Sequence, residues 1–166
     1  LPSRPVASRV DEVRLSGEER GWVSSPGPDA NGTPLLVLFD GQVWLGLGLQ
    51  RILDSLIGAG LLPPLHVALL DSGSHDQRWA RLGVPGGQVD TVLDHLLPRV
   101  RADWPVDPRG EATWVSGQSF GGIAALWTIA LAEGEVQHAI AQSPSLWRFE
   151  ITDALLDQPG WTSIAL

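Results

Sequence analysis

The chain has no cysteine, methionine, lysine or tyrosine among its 166 residues. Without cysteine there is no disulfide framework, no thiolate metal site and no cysteine nucleophile, so any nucleophile must be another residue type. Without lysine every side-chain cation other than histidine is an arginine. Eleven arginines against 19 acids leave a net charge of −8, which argues against a phosphate-tracking nucleic-acid surface. No apolar run approaches the roughly 20 residues of a membrane-spanning helix. No basic segment followed by an apolar stretch resembles a secretory leader, so a cytoplasmic setting is expected. The missing methionine at position 1 suggests a trimmed start, and plentiful glycine, proline and arginine suit a GC-rich bacterial source.

What is present is a hydrophobic fraction of 43%, enough for one domain with a real core at this length. Short apolar runs alternate with longer amphipathic segments, the pattern of strands and crossover helices in an α/β sheet. Residues 1–33 form an N-terminal segment with two expected edge strands, 10–15 and 20–24, and a turn-rich stretch from Pro26 to Gly32. Buried strands are expected at 35–40, 65–71, 112–117 and 136–142, with a last one at 161–166. Helices are expected at 43–59, 89–103, 120–132 and 151–156, the first weakened by Gly46 and Gly48 and the second kinked at Pro98. Residues 72–87 read as a long loop.

One motif carries chemistry. Gly117-Gln118-Ser119-Phe120-Gly121 is a G-x-S-x-G sequence between an expected strand and an expected helix, the context of a nucleophile elbow. Such a turn exposes the Ser119 hydroxyl at a helix N-terminus, where partial positive charge favours an anionic intermediate. Glycine is expected at 117 and 121 because a Cβ at either place would strike neighbouring backbone. Acyl transfer also needs two backbone donors for the oxyanion: one is the amide of Phe120, and the other lies after the strand ending at Asp40, among Gly41, Gln42 and Val43. Asp71, His75 and Asp76 lie on one loop without a remote ligand and read as a solvated loop, so no metal site is expected. Asn31-Gly32-Thr33 reads as a turn.

Six segments occur in a telling order: Asp40-Gly41-Gln42-Val43-Trp44, Pro63-Pro64 before a strand ending in Asp71-Ser72, Arg78, Leu96-Leu97-Pro98, Gly117 to Gly122, and Gln142-Ser143-Pro144-Ser145-Leu146-Trp147. From about Leu35 to Leu166 the chain resembles the catalytic domain of the enterochelin esterases. These are α/β-hydrolases of the esterase-D group that open the trilactone of ferric catecholate siderophores. The resemblance implies Ser119 as nucleophile, the Gly41-Gln42 turn as part of the oxyanion hole, Arg78 as a contact to an anionic substrate, and Trp44 and Trp147 as walls of an aromatic pocket. Arg148 on the same rim would add positive charge. The chain departs from the family pattern at Arg81, His95 and Arg148, where an acid, an acid and a tryptophan are usual.

The resemblance implies an α/β-hydrolase fold, a mostly parallel sheet with helices on both faces, residues 34–166 being a partial catalytic domain that stops before the last strand. A serine nucleophile needs a histidine base oriented by a carboxylate, in the chain order serine, acid, histidine. His66, His75 and His95 precede Ser119, and His138 falls inside a strand, so acid and histidine are expected beyond Leu166. The expected activity is ester or lactone hydrolysis of a small, anionic, aromatic substrate, a ferric siderophore being the one the resemblance implies. Neither metal nor organic cofactor is required. Two alternatives stand beside it: a general carboxylesterase, thioesterase or acyltransferase on the same fold, and a non-catalytic module that binds aromatic siderophores.

Overall fold

The computed structural model describes residues 8–17, 19–27, 30–158 and 160–166. Of the expected turn-rich stretch, Pro28 and Asp29 lie outside the described residues, as do the first seven residues of the N-terminal segment.

Among the described residues seven strands form one sheet: β1 (Arg9–Arg14), β2 (Arg20–Ser25), β3 (Leu35–Leu38), β4 (His66–Leu70), β5 (Thr113–Gln118), β6 (His138–Gln142) and β7 (Ser163–Ala165), in the spatial order β1-β2-β4-β3-β5-β6-β7. β1 pairs antiparallel with β2 and β2 antiparallel with β4; the other pairs are parallel. The two N-terminal strands thus belong to the same sheet as the rest. β4 is buried at every residue, as a strand covered on both faces should be. Among the described residues no helix is long and apolar enough to cross a membrane.

Alternation along the strands divides the core. Leu38, Val67 and Leu69 face helices α1 (Gly41–Gly46) and α2 (Leu49–Gly58), where Leu45, Leu49 and Leu53 cover them. Val37, Phe39, Ala68, Leu70 and Val115 belong to the larger cluster on the other face. The 43–59 helix is split because Gly48 adopts a left-handed φ of 76°, where the helix breaks and restarts.

Two further helices close the larger cluster. Helix α4 runs as Gln88–Asp90, a π-helical stretch Thr91–Leu96, and Leu97–Asp103. Pro98 has no N–H for the carbonyl four residues back, and the wider turns precede it without ending the helix. Helix α5 (Phe120–Leu131) is apolar on all sides and buried from Phe120 to Ala130, held among the sheet, α4 and α6 (Thr152–Asp157). Each fully buried Leu, Ile or Val here contributes about 1.5–3 kcal/mol relative to exposure.

The long loop at 72–87 holds an extra helix, α3 (His75–Arg81). Its start is a capping box: Ser74 accepts from the Gln77 N–H, and the Gln77 side chain accepts from the Ser74 N–H. The final strand is shorter than expected, leaving Trp161 before it with its indole N–H on the Leu155 carbonyl at 2.8 Å.

Candidate active site

Four connections meet at the carboxyl ends of the parallel strands, where open α/β sheets bind ligands. They follow β3, β4, β5 and β6.

Ser119 sits between β5 and α5 at φ 58°, ψ −113°, a conformation that L-residues rarely adopt and that costs on the order of 1–3 kcal/mol. Neighbouring bonds hold it there. Its N–H donates to the Gln142 carbonyl at 3.0 Å, and its carbonyl accepts from the Ser145 N–H at 3.1 Å and the Ile123 N–H at 3.2 Å. Ser119 is exposed, with its Oγ 3.1 Å from the Oγ of buried Ser145.

The glycines divide differently from expectation. A Cβ on Gly117 would lie 2.3 Å from the Gly121 carbonyl carbon and oxygen, a backbone collision. On Gly121 it would meet side chains instead, the Asp40 Oδ2 and the Phe39 Cβ, both at 3.3 Å. The second backbone-limited glycine is Gly122, whose Cβ would lie 3.0 Å from the Pro144 Cα. These distances also place the turn after β3 against the first turn of α5.

That turn supplies the other backbone donors. Asp40 is left-handed at φ 58°, and Gly41 presses on β4 so closely that a Cβ would come within 2.7–2.9 Å of Leu69 and Leu70. The Val43 N–H is taken by the Asp40 carbonyl at 2.9 Å. The N–H groups of Gln42 and Phe120 meet no acceptor among the described residues, as first-turn donors of α1 and α5. The Gln42 side chain is pinned to Ser72, donating to its Oγ at 2.6 Å and accepting from its N–H at 3.1 Å.

Arg78, on α3, braces the same turn. Its Nε donates to Asp40 Oδ1 at 2.7 Å and its Nη2 to Oδ2 at 2.8 Å, a bidentate pair to a buried carboxylate. That hydrogen bond raises the guanidinium pKa above its ordinary value, against the opposing effect of burial. Arg78 also lies 5.4 Å from the Phe120 ring.

An aromatic and cationic rim surrounds the elbow. Trp79 meets Phe120 edge-on at 5.1 Å, and Trp147, 73% exposed, lies 5.7 Å from Phe120 and 6.5 Å from Trp79. The Arg148 guanidinium sits 4.6 Å from the Trp79 ring and 4.7 Å from Phe120, and donates to the Trp79 carbonyl. Its Nε is buried with no partner among the described residues. Trp44 is elsewhere: it packs beside Leu38, Val67 and Leu69 under α1, its indole N–H on the Phe39 carbonyl at 3.1 Å.

Of the residues expected at the site, Ser119, Phe120, Gly41, Gln42, Arg78, Trp147 and Arg148 are thus brought together, and Trp44 is not. Sequence reasoning missed Ser145, and Asp40 as the partner of Arg78. His138 begins β6, at the strand end opposite Ser119, stacked 4.2 Å from Trp114 with Nδ1 2.8 Å from Ser163 Oγ. His75 is exposed beside Asp76, and Asp71 pairs with Arg20.

Comparison with known proteins gives the arrangement a family. The iron(III) enterobactin esterase of Escherichia coli K12 is 33% identical over 149 residues, 89% of this chain and 37% of that protein. The iron(III) salmochelin esterase of E. coli O6:H1 (strain CFT073) is 32% identical over 116 residues, 68% of this chain and 28% of that protein. The match therefore spans 37% and 28% of the length of these two relatives. Crystal structures of the Shigella flexneri enterobactin esterase, one in the presence of 2,3-dihydroxy-N-benzoyl-serine and one in the presence of enterobactin, superpose with TM-scores of 0.76 and 0.75 at 28% identity. They cover 88% and 91% of this chain and 39% and 40% of theirs. The fold is that of the α/β-hydrolase esterases. With residues 21–163 matching the Putative esterase family and these relatives beside it, the chain belongs to that family, among its enterochelin esterase-like members.

Proposed function

We propose that the chain carries the nucleophile and oxyanion donors of a serine esterase that hydrolyses a catecholate siderophore trilactone, residues 34–166 being part of its catalytic domain. The observation that carries this reading is Ser119: an exposed hydroxyl on a strained strand-to-helix turn, at the start of a 12-residue helix. Ser119 Oγ attacks the ester carbonyl, an imidazole takes its proton, and the N–H groups of Phe120 and of the Gly41-Gln42 turn receive the oxyanion. A covalent acyl-Ser119 forms and is hydrolysed. Serine-based acyl transfer of this kind needs no cofactor, and iron enters only as part of the substrate.

Two observations favour an aromatic, anionic substrate. The rim of Trp79, Phe120 and Trp147 presents apolar ring faces, and Arg148 adds positive charge 4.7 Å from Phe120. The named relatives act on enterobactin and salmochelin. In the full-length protein a fluorophosphonate probe is expected to label the parent and not Ser119→Ala; equal labelling of both removes Ser119 from the mechanism. Faster hydrolysis of simple p-nitrophenyl esters than of a catecholate trilactone would instead favour a general carboxylesterase, and tight siderophore binding without turnover a binding module.

A further inference from the structure

The connection after β6 brings a second hydroxyl to the nucleophile. Ser145 is 7% exposed, its Oγ lies 3.1 Å from Ser119 Oγ, and its N–H donates to the Ser119 carbonyl at 3.1 Å. The connection is held at three further points. Pro144 packs on Gly122, Ser143 takes a left-handed φ of 45°, and the Ser145 carbonyl accepts from the Arg148 N–H at 3.0 Å. Among the described residues, Ser119 is the hydrogen-bond partner that the structure gives the Ser145 hydroxyl. A buried hydroxyl fixed by its own backbone and aimed at one reacting atom is a preorganised donor.

We propose that Ser145 is a catalytic residue, a hydroxyl that donates its hydrogen bond to Ser119 Oγ while charge develops there. This rests on Ser119 being the nucleophile. In the resting enzyme either hydroxyl can be the donor. As the imidazole base takes the Ser119 proton and Oγ bonds to the substrate carbonyl carbon, the carbonyl electron pair moves to the oxyanion. Ser145 keeps its own proton and offers it to Oγ, offsetting the negative charge on the attacking atom. The oxyanion electron pair then returns, the substrate's ester bond between carbonyl carbon and alcohol oxygen breaks, and the imidazolium gives its proton to the departing alcohol, leaving acyl-Ser119 and a neutral base. In deacylation, water adds to the acyl carbon and gives a proton to the base. Collapse then breaks the bond from that carbon to Oγ, and the base returns the proton to Ser119. Ser145 again donates to Oγ, now the leaving oxygen. It changes no covalent bond in either half, so the reaction balances without any further reactant.

The test measures, in the full-length protein, the rate of inactivation by diisopropyl fluorophosphate and the kcat and KM for p-nitrophenyl acetate. The proteins compared are the parent, Ser145→Ala, Ser145→Cys and Ser119→Ala. Cysteine nearly matches serine in shape and is a weak donor, so it preserves the packing and removes most of the hydrogen bond. Both Ser145 variants are expected to lose about tenfold or more in inactivation rate and in kcat, with KM little changed, as fits loss of a donor to a charged oxygen. Should Ser145→Ala fail to fold, Ser145→Cys still gives the readout. A Ser145→Cys protein that reacts at the parental rate overturns the proposal, because Ser145 would then be needed only for packing. If Ser119→Ala is inert while both Ser145 variants behave as the parent, only the role of Ser145 falls. If Ser119→Ala itself reacts like the parent, the nucleophile assignment falls with it.

Discussion

At Gly117 an added Cβ would stand 2.3 Å from the backbone of Gly121, which is the first turn of a helix buried from Phe120 to Ala130. That helix cannot move away without opening the core. At Gly121 the same atom would stand 3.3 Å from the tip of Asp40 and the Cβ of Phe39, contacts that shift by a few tenths of an ångström. Gly117→Ala is therefore expected to lose at least about 3 kcal/mol of stability, at the severe end of overpacking. Gly121→Ala is expected to lose about 1–2 kcal/mol and to fold, yet to react more slowly with a fluorophosphonate, because the atom it presses on belongs to the carboxylate that Arg78 holds. Urea unfolding and probe labelling of the two variants check the contrast. Equal stabilities would mean that the elbow is less constrained than its geometry implies.

Among the elements, α3 matters beyond its seven residues, because it carries Arg78 to Asp40 across 38 positions of sequence. Arg78 as an anion contact and Arg78 as a brace predict different kinetics. If it holds the turn, Arg78→Ala leaves a buried carboxylate without its partner, costing about 1–3 kcal/mol, and lowers kcat even for neutral p-nitrophenyl acetate. If it only meets anionic substrate, the neutral ester is hydrolysed at the parental rate and KM rises for a catecholate trilactone alone. The bidentate geometry leads us to expect the first outcome. Much of this level was readable from the sequence. LLVLFD and LHVALLD stand out as buried strands because both faces are covered, and G-x-S-x-G is local, its turn and helix all within a few residues. Other parts were hidden for physical reasons. The Ser74-x-x-Gln77 capping box was a visible signal for α3 that the surrounding glycines masked. The pairs Arg78–Asp40 and Ser145–Ser119 exist only once strand order sets their connections side by side, which no local periodicity encodes. Trp44 lay at the right place in sequence for a pocket wall, but the pitch of α1 turns it toward the core of the opposite face.

For the whole molecule, acid stability depends on a residue far from Ser119. His66 opens β4, is 1% exposed, and has Nδ1 2.6 Å from Thr33 Oγ1. Burial pushes its pKa below the ordinary histidine value, since a charged imidazole there would lack water. The unfolded chain takes up a proton near pH 6.5, while the folded chain resists until its lower pKa is reached. In that window the unfolded state binds more protons, so stability is complete above about pH 6.5, falls as the pH drops through the window, and levels off below the folded pKa. The slope for one such group cannot exceed about 1.4 kcal/mol per pH unit. Carboxylates govern a separate, more acidic range. Burial raises the Glu19 pKa, but hydrogen bonds from Arg81 and Thr91 outweigh it and hold the carboxyl low. Asp107 is held at about 2 by its bonds from Arg109. Their contributions are present above the ordinary carboxylate range and are lost as the pH falls through their depressed values. Urea unfolding at half-unit steps from pH 8 to pH 3 should therefore show a first decline beginning near pH 6.5 and a second below about pH 4.5. His66→Gln, which removes the titrating group and keeps a polar side chain toward Thr33, should abolish the first decline and leave the second. A first decline that survives this substitution would assign it to another group than the buried histidine.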